Sequence, residues 1–411
     1  MNPDIRSQTQ EELAAQFNIW EEPAYRAAQL LKWLYTDRVT DWDAMTNLPK
    51  SLREKLRGHY SLRSLELLRR QGSRDTTLKF LWRLSDHALI ESVLIPANPA
   101  LYGEASDRHT LCVSTQVGCA YGCKFCASGL EGWKRNLNVE EIVEQVLAVE
   151  RMSGAGCRVA GGGQEHRTSN IEHRTSNEGK ERLRAEPQAA HASRITHHSS
   201  RLVDNLVIMG MGEPLANYDN LLQALKILNA PWGGGIGARK ITISTSGLAP
   251  QIRRLAAEPL QFRLAISLHG ATDETRNRIM PVNRKYPLKE LVAACEYYQQ
   301  KKGRMLTFEY ILIAGVNDGP DQTAPLARLA RKLNAKVNLI PYNRVEGLPW
   351  ERPAEPAQEA FLAALEKQKI SATLRREKGD DIAAACGQLR LKTERELSFS
   401  QPPAGGSAGE N

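Results

Sequence analysis

The sequence predicts an α/β protein with a partial (β/α)6 barrel of the TIM type and a small helical domain at its N-terminus. After residue 110, six short apolar segments alternate with amphipathic segments long enough to form helices. Before residue 73, apolar residues recur mainly at helical spacing. Six strand–helix units are fewer than a complete TIM barrel contains, so the predicted barrel is open.

Composition narrows the class of protein. The 411 residues suggest two or three domains, and the net charge of +8 favours an anionic partner, nucleic acid ahead of membrane. No apolar run is long enough for a membrane span, and the first residues lack the apolar core of a secretory signal, so we expect a cytoplasmic protein. Seven cysteines, an odd number, favour metal binding or catalysis over a disulfide framework.

The N-terminal region is predicted to contain helices over residues 1–72, followed by a β-extension and linker over 73–109. "PAYRAAQLLKWLYTDRV" has helical periodicity, and "NLPKSLREKLRGHY" and "SLRSLELLRRQ" are predicted as short basic helices. "TTLKFLWRLSDHALIESVLIP" alternates like two strands joined by a polar turn.

The predicted barrel spans residues 110–345. Its strands are "TLCVST", "NLVIMG", "KITIST", "RLAISL", "LTFEYILI" and "KVNLIP". Residues of about 154–201 contain "EHRTSN" twice and few apolar groups, so we expect a disordered insertion at the N-terminal end of the barrel strands, away from the chemistry. Residues 346–396 form a C-terminal segment, and 397–411 are predicted to be a disordered tail.

Three cysteines follow the first barrel strand in "GCAYGCKFCASG". Cys119, Cys123 and Cys126 have the spacing C-x3-C-x2-C, which can wrap one inorganic centre. A zinc site usually needs a fourth protein ligand nearby, whereas three thiolates suit a [4Fe–4S] cluster with one open iron. A structural zinc site and ordinary loop cysteines remain alternatives.

Polar residues and glycines recur where successive barrel strands end, at the edge where barrel enzymes bind ligands. They are found in "GMGEP", "STSG", "SLHG" and "PYN". Singly, each could be a turn or a helix cap. Their recurrence predicts one binding site.

Taken together, "TLCVSTQVGCAYGCKFC", "VIMGMGEPL", "ITISTSG", "LAISLHG", "GVND", "NLIPYN" and "GDDIAAACGQL" resemble the RlmN/Cfr family of radical S-adenosylmethionine (SAM) RNA methyltransferases. The resemblance covers roughly residues 20–395 apart from the linker and the insertion. It implies that Cys119, Cys123 and Cys126 bind the [4Fe–4S] cluster, whose open iron binds SAM through its amino and carboxylate groups. The positions that match SAM contacts are Gly212, Glu213, Ser244, Ser267, Leu268, His269 and Asn343.

The resemblance also implies catalytic roles. Cys386 matches a cysteine that takes a methyl group from one SAM, and a second SAM is cleaved to a radical that activates this methyl group for addition to adenine. Cys112 matches the thiol that releases the RNA by a transient disulfide with Cys386. Glu91 matches the base that takes the adenine proton. The stretch between Glu91 and Cys112 is longer than the usual one in the family. The match of Glu91 therefore depends on the motif "ESVLIP" alone.

The expected activity is methylation of adenine C2 in 23S rRNA and of the adenosine 3′ of the anticodon in tRNA. Alternatives are C8 methylation of the same rRNA adenine and a non-enzymatic RNA-binding protein with a structural metal. The expected electron donor is a flavodoxin or ferredoxin system, and the expected state is a monomer without membrane contact. Basic residues of the N-terminal helices, interleaved with Trp33, Tyr35 and Trp42, could hold RNA or form an ordinary solvated face.

Overall fold

The computed structural model describes residues 2–97, 108–154, 201–375 and 387–399. The predictions for Cys386, for most of the linker and for nearly all of the insertion lie outside these ranges. Residues 397–399 belong to a helix rather than to the predicted tail, because the helix that begins at Gln388 continues to Phe399. Among the helices of the described ranges, none is long and apolar enough to cross a membrane.

A ten-stranded sheet and a two-stranded hairpin form the framework. In chain order the strands are β1 (Glu66–Gly72), β2 (Leu78–Arg83), β3 (Leu89–Pro96), β4 (His109–Cys112), β5 (Gln116–Gly118), β6 (Trp133–Asn136), β7 (Val203–Ile208), β8 (Ile241–Thr245), β9 (Arg263–Ser267), β10 (Thr307–Leu312), β11 (Lys336–Pro341) and β12 (Ala372–Leu374). The large sheet has the order β1-β2-β3-β4-β7-β8-β9-β10-β11-β12, and β5 pairs with β6.

The helices connect these strands. They are α1 (Gln10–Ile19), α2 (Tyr25–Tyr35), α3 (Lys50–His59), α4 (Val139–Gly154), α5 (Tyr218–Asn229), α6 (Ala249–Ala257), α7 (Asp273–Ile279), α8 (Leu288–Lys302), α9 (Pro320–Lys332), α10 (Glu355–Lys367) and α11 (Gln388–Phe399). Strands β4 and β7–β11 pair in parallel, which confirms the six predicted barrel strands. Short β12 adds another parallel partner to β11.

One prediction about the N-terminal region was wrong. "SLRSLELLRRQ" contains strand β1, which pairs antiparallel with β2, so edge pairing overrides the helical propensity of its Leu, Glu and Arg residues. Tyr35 and Trp42 are buried in the core, which favours the alternative of an ordinary solvated face for these two residues. Arg6, fully buried, joins these helices to the barrel through an ion pair with Glu144 of α4 at 2.8 Å.

The two described flanks of the insertion lie at the N-terminal end of β7. Glu150 of α4 accepts hydrogen bonds from the backbone N–H groups of Leu202 and Val203 at 3.2 and 2.8 Å. This carboxylate therefore fixes the point where the chain re-enters the barrel. The C-terminal ends of the strands, where the predicted ligand residues lie, are at the opposite edge.

Candidate active site

A cavity of about 420 Å³ opens at the C-terminal ends of the barrel strands. Its volume is within the range of small-molecule sites, roughly 300–1,000 Å³. The structure brings most of the predicted site residues together in its lining: Cys112, Cys119, Cys123, Cys126, Gly212, Glu213, Ser244, Ser267, His269 and Asn343. Leu268 is buried beside the cavity rather than in its lining.

The cysteine loop lies between β5 and β6 and is fixed by backbone contacts. Cys119 N–H donates to the Gly132 carbonyl at 3.1 Å, and Cys126 N–H donates to the Cys123 carbonyl at 3.1 Å. Gly118 has φ +77°, and a Cβ there would lie 2.0 Å from the Gly132 oxygen. Only glycine therefore allows the hairpin to close before the first cysteine.

Burial controls the ionisation of the thiols. Burial raises the pKa of Cys119 to about 12, although hydrogen bonds from the backbone N–H groups of Tyr121 and Gly122 oppose this rise. Burial also raises the pKa of Cys123 well above the ordinary value. A bound metal centre reverses this preference because its cations stabilise thiolates, so loading releases protons.

The arrangement of the cysteines suits a cluster. In the part of the chain that the structure describes, no three His, Cys, Asp or Glu side chains converge enough to hold one metal ion. A [4Fe–4S] cluster takes its three thiolates on three different irons, so its ligands are farther apart than those of a single ion. Three thiols that line one cavity therefore fit a cluster better than a tetrahedral zinc ion.

Glu213 lies beyond β7 with its carboxylate buried. Oε2 accepts hydrogen bonds from the backbone N–H and the hydroxyl of Ser246, both at 2.7 Å, and Oε1 accepts from Leu215 N–H at 3.1 Å. Burial raises the pKa of Glu213, and the Ser246 hydrogen bonds oppose the rise. The carboxylate is thus held rigidly at the cavity wall.

Hydroxyl and imidazole groups line the neighbouring wall. Ser244 Oγ and Ser267 Oγ are 3.1 Å apart. His269 Nδ1 accepts the N–H of Ile311 at 3.0 Å, and burial lowers the pKa of His269 to about 3. The ring is therefore neutral with its proton on Nε2, and it makes an edge contact with Phe125 at 5.0 Å between ring centroids.

Cys112 ends β4 and is buried in the cavity lining, paired in register with Val93 of β3 and Val207 of β7. Among the described cysteines no disulfide is formed. A Cys112–Cys386 disulfide therefore stays a prediction, since Cys386 lies outside the described residues.

Glu91 lies on β3, two residues before Val93, on the strand face that borders the cavity. Its buried carboxylate forms an ion pair with Lys79 at 2.9 Å. Oε2 also accepts the N–H of Gly387 at 2.7 Å, and Oε1 accepts the N–H of Arg390 at 2.6 Å. Glu91 therefore caps the N-terminus of α11 and holds the residue that follows Cys386 in the sequence.

Several buried polar residues of the site were not predicted. Arg276 of α7 donates to the carbonyls of Ser246 at 2.9 Å and of Leu268, and burial lowers its pKa to about 10. Glu309, in the cavity lining, is a lone acid in the otherwise apolar strand "LTFEYILI". That isolation was a usable signal for Glu309, whereas Arg276 lies in a polar helix that conceals it.

Gly212 provides a test of the cavity wall. Its φ is +101°, and a Cβ would lie 2.6 Å from Gln116 Cβ. We expect Gly212→Ala to destabilise the protein by about 1–3 kcal/mol and to weaken SAM binding, measured by thermal unfolding and equilibrium dialysis. Gly58→Ala, in helix α3 with nothing within 4 Å of the added methyl, is the matched control. Wild-type SAM binding by Gly212→Ala would contradict the prediction.

The open barrel, the cysteine loop and the cavity together define a radical SAM enzyme. Two family models agree: the radical SAM superfamily matches residues 177–326, and the ribosomal RNA large subunit methyltransferase N-terminal domain matches residues 4–62. A crystal structure of a radical SAM methyltransferase from Sphaerobacter thermophilus superposes with a TM-score of 0.78 and 39% identity, covering 94% of this chain and 98% of that one.

Full-length relatives specify the family. The probable dual-specificity RNA methyltransferase RlmN 3 of Opitutus terrae is 50% identical over 96% of both chains. The dual-specificity RNA methyltransferase RlmN of Anaeromyxobacter dehalogenans is 43% identical over 94% of this chain and 91% of its own. The chain belongs to the RlmN family, and it is a SAM-dependent RNA methyltransferase of the radical SAM class.

Proposed function

We propose that the protein methylates C2 of an adenosine in 23S rRNA and of the adenosine 3′ of the anticodon in tRNA, through a methyl group carried on Cys386. One observation carries this proposal. Cys112 and the three cysteines of the loop line the same cavity as Val93, and Glu91, two residues before Val93 on β3, binds the backbone of Gly387, which is next to Cys386 in the sequence.

Cys119, Cys123 and Cys126 would hold the cluster, and Gly212, Glu213, Ser244, Ser267, Leu268, His269 and Asn343 would surround SAM. When bound, these groups supply the electron, the methyl group and the hydrogen-abstracting radical. Adenine C2 carries no acidic proton, so a polar methyl donor cannot alkylate it, whereas carbon tethered to the protein gains from proximity. The rigid Glu213 carboxylate supports this assignment, because it fixes one wall of the cavity.

Cys386 and Cys112 would act in sequence. After the carried carbon has joined adenine and the resulting radical has given up one electron to the electron-transfer system, the Cys112 thiolate attacks the Cys386 sulfur. The S–S bond forms as the S–C bond breaks, and the electron pair left on carbon takes a proton to complete the methyl group. The placement of Cys112 in the cavity lining supports this role.

Once addition of the carried carbon has made the hydrogen at adenine C2 acidic, Glu91 would take this proton before release. Its carboxylate already accepts from Lys79, Gly387 and Arg390, which occupies three of about four acceptor positions. Proton transfer would use the remaining lone pair or follow release of the α11 N-terminus.

Glu91→Gln tests this role. We expect the variant to lower the rate of RNA methylation by about 10²–10⁴-fold, while mass spectrometry of the Cys386 peptide still shows S-methylation. Glu54→Gln, an exposed acid of α3, is the control. A Glu91→Gln enzyme with wild-type turnover would contradict the base assignment.

The RNA would contact exposed basic residues of the N-terminal helices, such as Lys32 and Lys50. The target adenine must leave its stack to enter the cavity. We expect a flavodoxin or ferredoxin system to supply the electron and the protein to act as a monomer. Because basic residues would contact the RNA, the affinity for RNA should fall as the salt concentration rises.

Nucleoside analysis decides between the candidate activities. 23S rRNA and tRNA are incubated anaerobically with cluster-loaded protein, SAM and a reductant, then digested and analysed by mass spectrometry against 2-methyladenosine and 8-methyladenosine. We expect 2-methyladenosine from both RNAs. A product methylated only at C8 rejects the C2 assignment, and a zinc-containing protein without SAM cleavage supports the RNA-binding alternative.

A further inference from the structure

One carboxylate oxygen in the cavity has no hydrogen-bond donor in the part of the chain that the structure describes. Glu309 lies on β10, is 4% exposed and lines the cavity. Oε1 accepts from Asn338 Nδ2 at 2.9 Å and lies 3.8 Å from Arg375 Nη2. Oε2 is buried without a hydrogen-bond donor from the described residues. A buried acceptor without a donor is costly, so its position indicates a donor that arrives with the ligand.

The neighbours of Glu309 define which donor fits. In register, Glu309 pairs with Ser267 of β9, and the Ser267 hydroxyl is 3.1 Å from that of Ser244. Because one serine donates to the other, one hydroxyl hydrogen of the pair remains for a ligand. An acceptor-only carboxylate beside a hydroxyl pair complements a sugar diol, as acids bind ribose hydroxyls in dinucleotide sites.

Glu309 and the cysteines belong to different parts of the fold. Glu309 lies inside strand β10, three residues before its last residue, Leu312, whereas Cys123 lies in a loop outside the barrel strands. Arg375 already provides Glu309 with a cationic neighbour. A neutral hydroxyl therefore suits Oε2 better than a second cation such as the ammonium group of SAM.

We propose that Glu309 Oε2 accepts a hydrogen bond from a ribose hydroxyl of bound SAM. This inference rests on the proposed function, because it requires SAM in this cavity. Ser267 and Ser244 would bind the same sugar, and Asn338 would orient the carboxylate from β11. Glu309 would thus set the affinity for the nucleoside half of the cofactor.

The test uses cluster-loaded protein under anaerobic equilibrium dialysis. The ligands are SAM, 5′-methylthioadenosine, which keeps the ribose but lacks the amino-acid end, and the 2′-deoxy and 3′-deoxy forms of 5′-methylthioadenosine. We expect Glu309→Gln to bind SAM and methylthioadenosine more weakly by about tenfold or more, because it loses a charge-assisted hydrogen bond. One of the two deoxy forms should bind the wild type more weakly than methylthioadenosine does, by a similar factor. The same deoxy form should bind Glu309→Gln and the wild type with equal affinity. Glu359→Gln, an exposed acid of α10, should match the wild type.

Three results would overturn the inference. If Glu309→Gln lowers the affinity for SAM but not for methylthioadenosine, the carboxylate faces the amino-acid end of SAM. If the wild type binds both deoxy forms as tightly as methylthioadenosine, no ribose hydroxyl is recognised, and this result needs no folded variant. If the wild type binds neither SAM nor methylthioadenosine, the proposed function fails together with the inference.

Discussion

Replacing Cys123 with alanine is expected to abolish both cluster loading and RNA methylation. Cys123 is one of three thiols in the cavity lining, and burial raises its pKa, so it is ionised only when a metal centre shares its charge. With two thiolates left, the cluster loses an anchor and the electron path to SAM. Iron and sulfide content should fall to background, together with the rate of SAM cleavage under reduction.

The matched control is Cys295→Ala. Cys295 is buried on α8 and is not in the cavity lining. This variant should keep its iron and its SAM cleavage even where it loses some stability, since the alanine leaves only a small packing defect. Full iron content and turnover in Cys123→Ala would contradict the ligand assignment. Equal loss in both variants would point to a folding defect.

The barrel was predictable because its signals are local. Each of the six segments predicted as strands contains a parallel β-strand. The polar residues that follow these strands therefore meet at one edge of the sheet. The cysteine spacing predicted that Cys119, Cys123 and Cys126 share one site, and the structure places all three in the cavity lining. Strand β1 was missed because its pairing with β2, rather than its composition, determines its structure.

The remaining site residues depend on distant contacts. Lys79 of β2 reaches Glu91 of β3, and Glu91 reaches Gly387, which lies 296 positions later in the chain. The periodicity of apolar residues in the sequence does not predict contacts between such distant positions. Leu268 is buried and its carbonyl accepts a hydrogen bond from Arg276, and its cofactor contact stays a prediction from the motif alone.

Replacing Cys112 with alanine is expected to stop turnover after one round and to leave a covalent protein–RNA adduct. Cys112 lines the cavity at the end of β4, and no other described cysteine outside the cluster loop does so. Without its thiolate, the bond between Cys386 and the carried carbon has no nucleophile to break it. Denaturing gels of anaerobic reactions with labelled RNA should show a slower band that approaches one RNA per protein.

The double variant Cys112→Ala/Cys386→Ala separates this adduct from nonspecific crosslinking. Because it lacks the proposed carrier sulfur, it should give no slow band, although it keeps all three cluster cysteines and their SAM cleavage. Nuclease digestion of the single-variant adduct should leave one adenosine with one bridging carbon on the Cys386 peptide. Methylated RNA released by Cys112→Ala at more than one turnover would show that resolution needs no thiol at this position, because the only other thiols in the described cavity lining would hold the cluster.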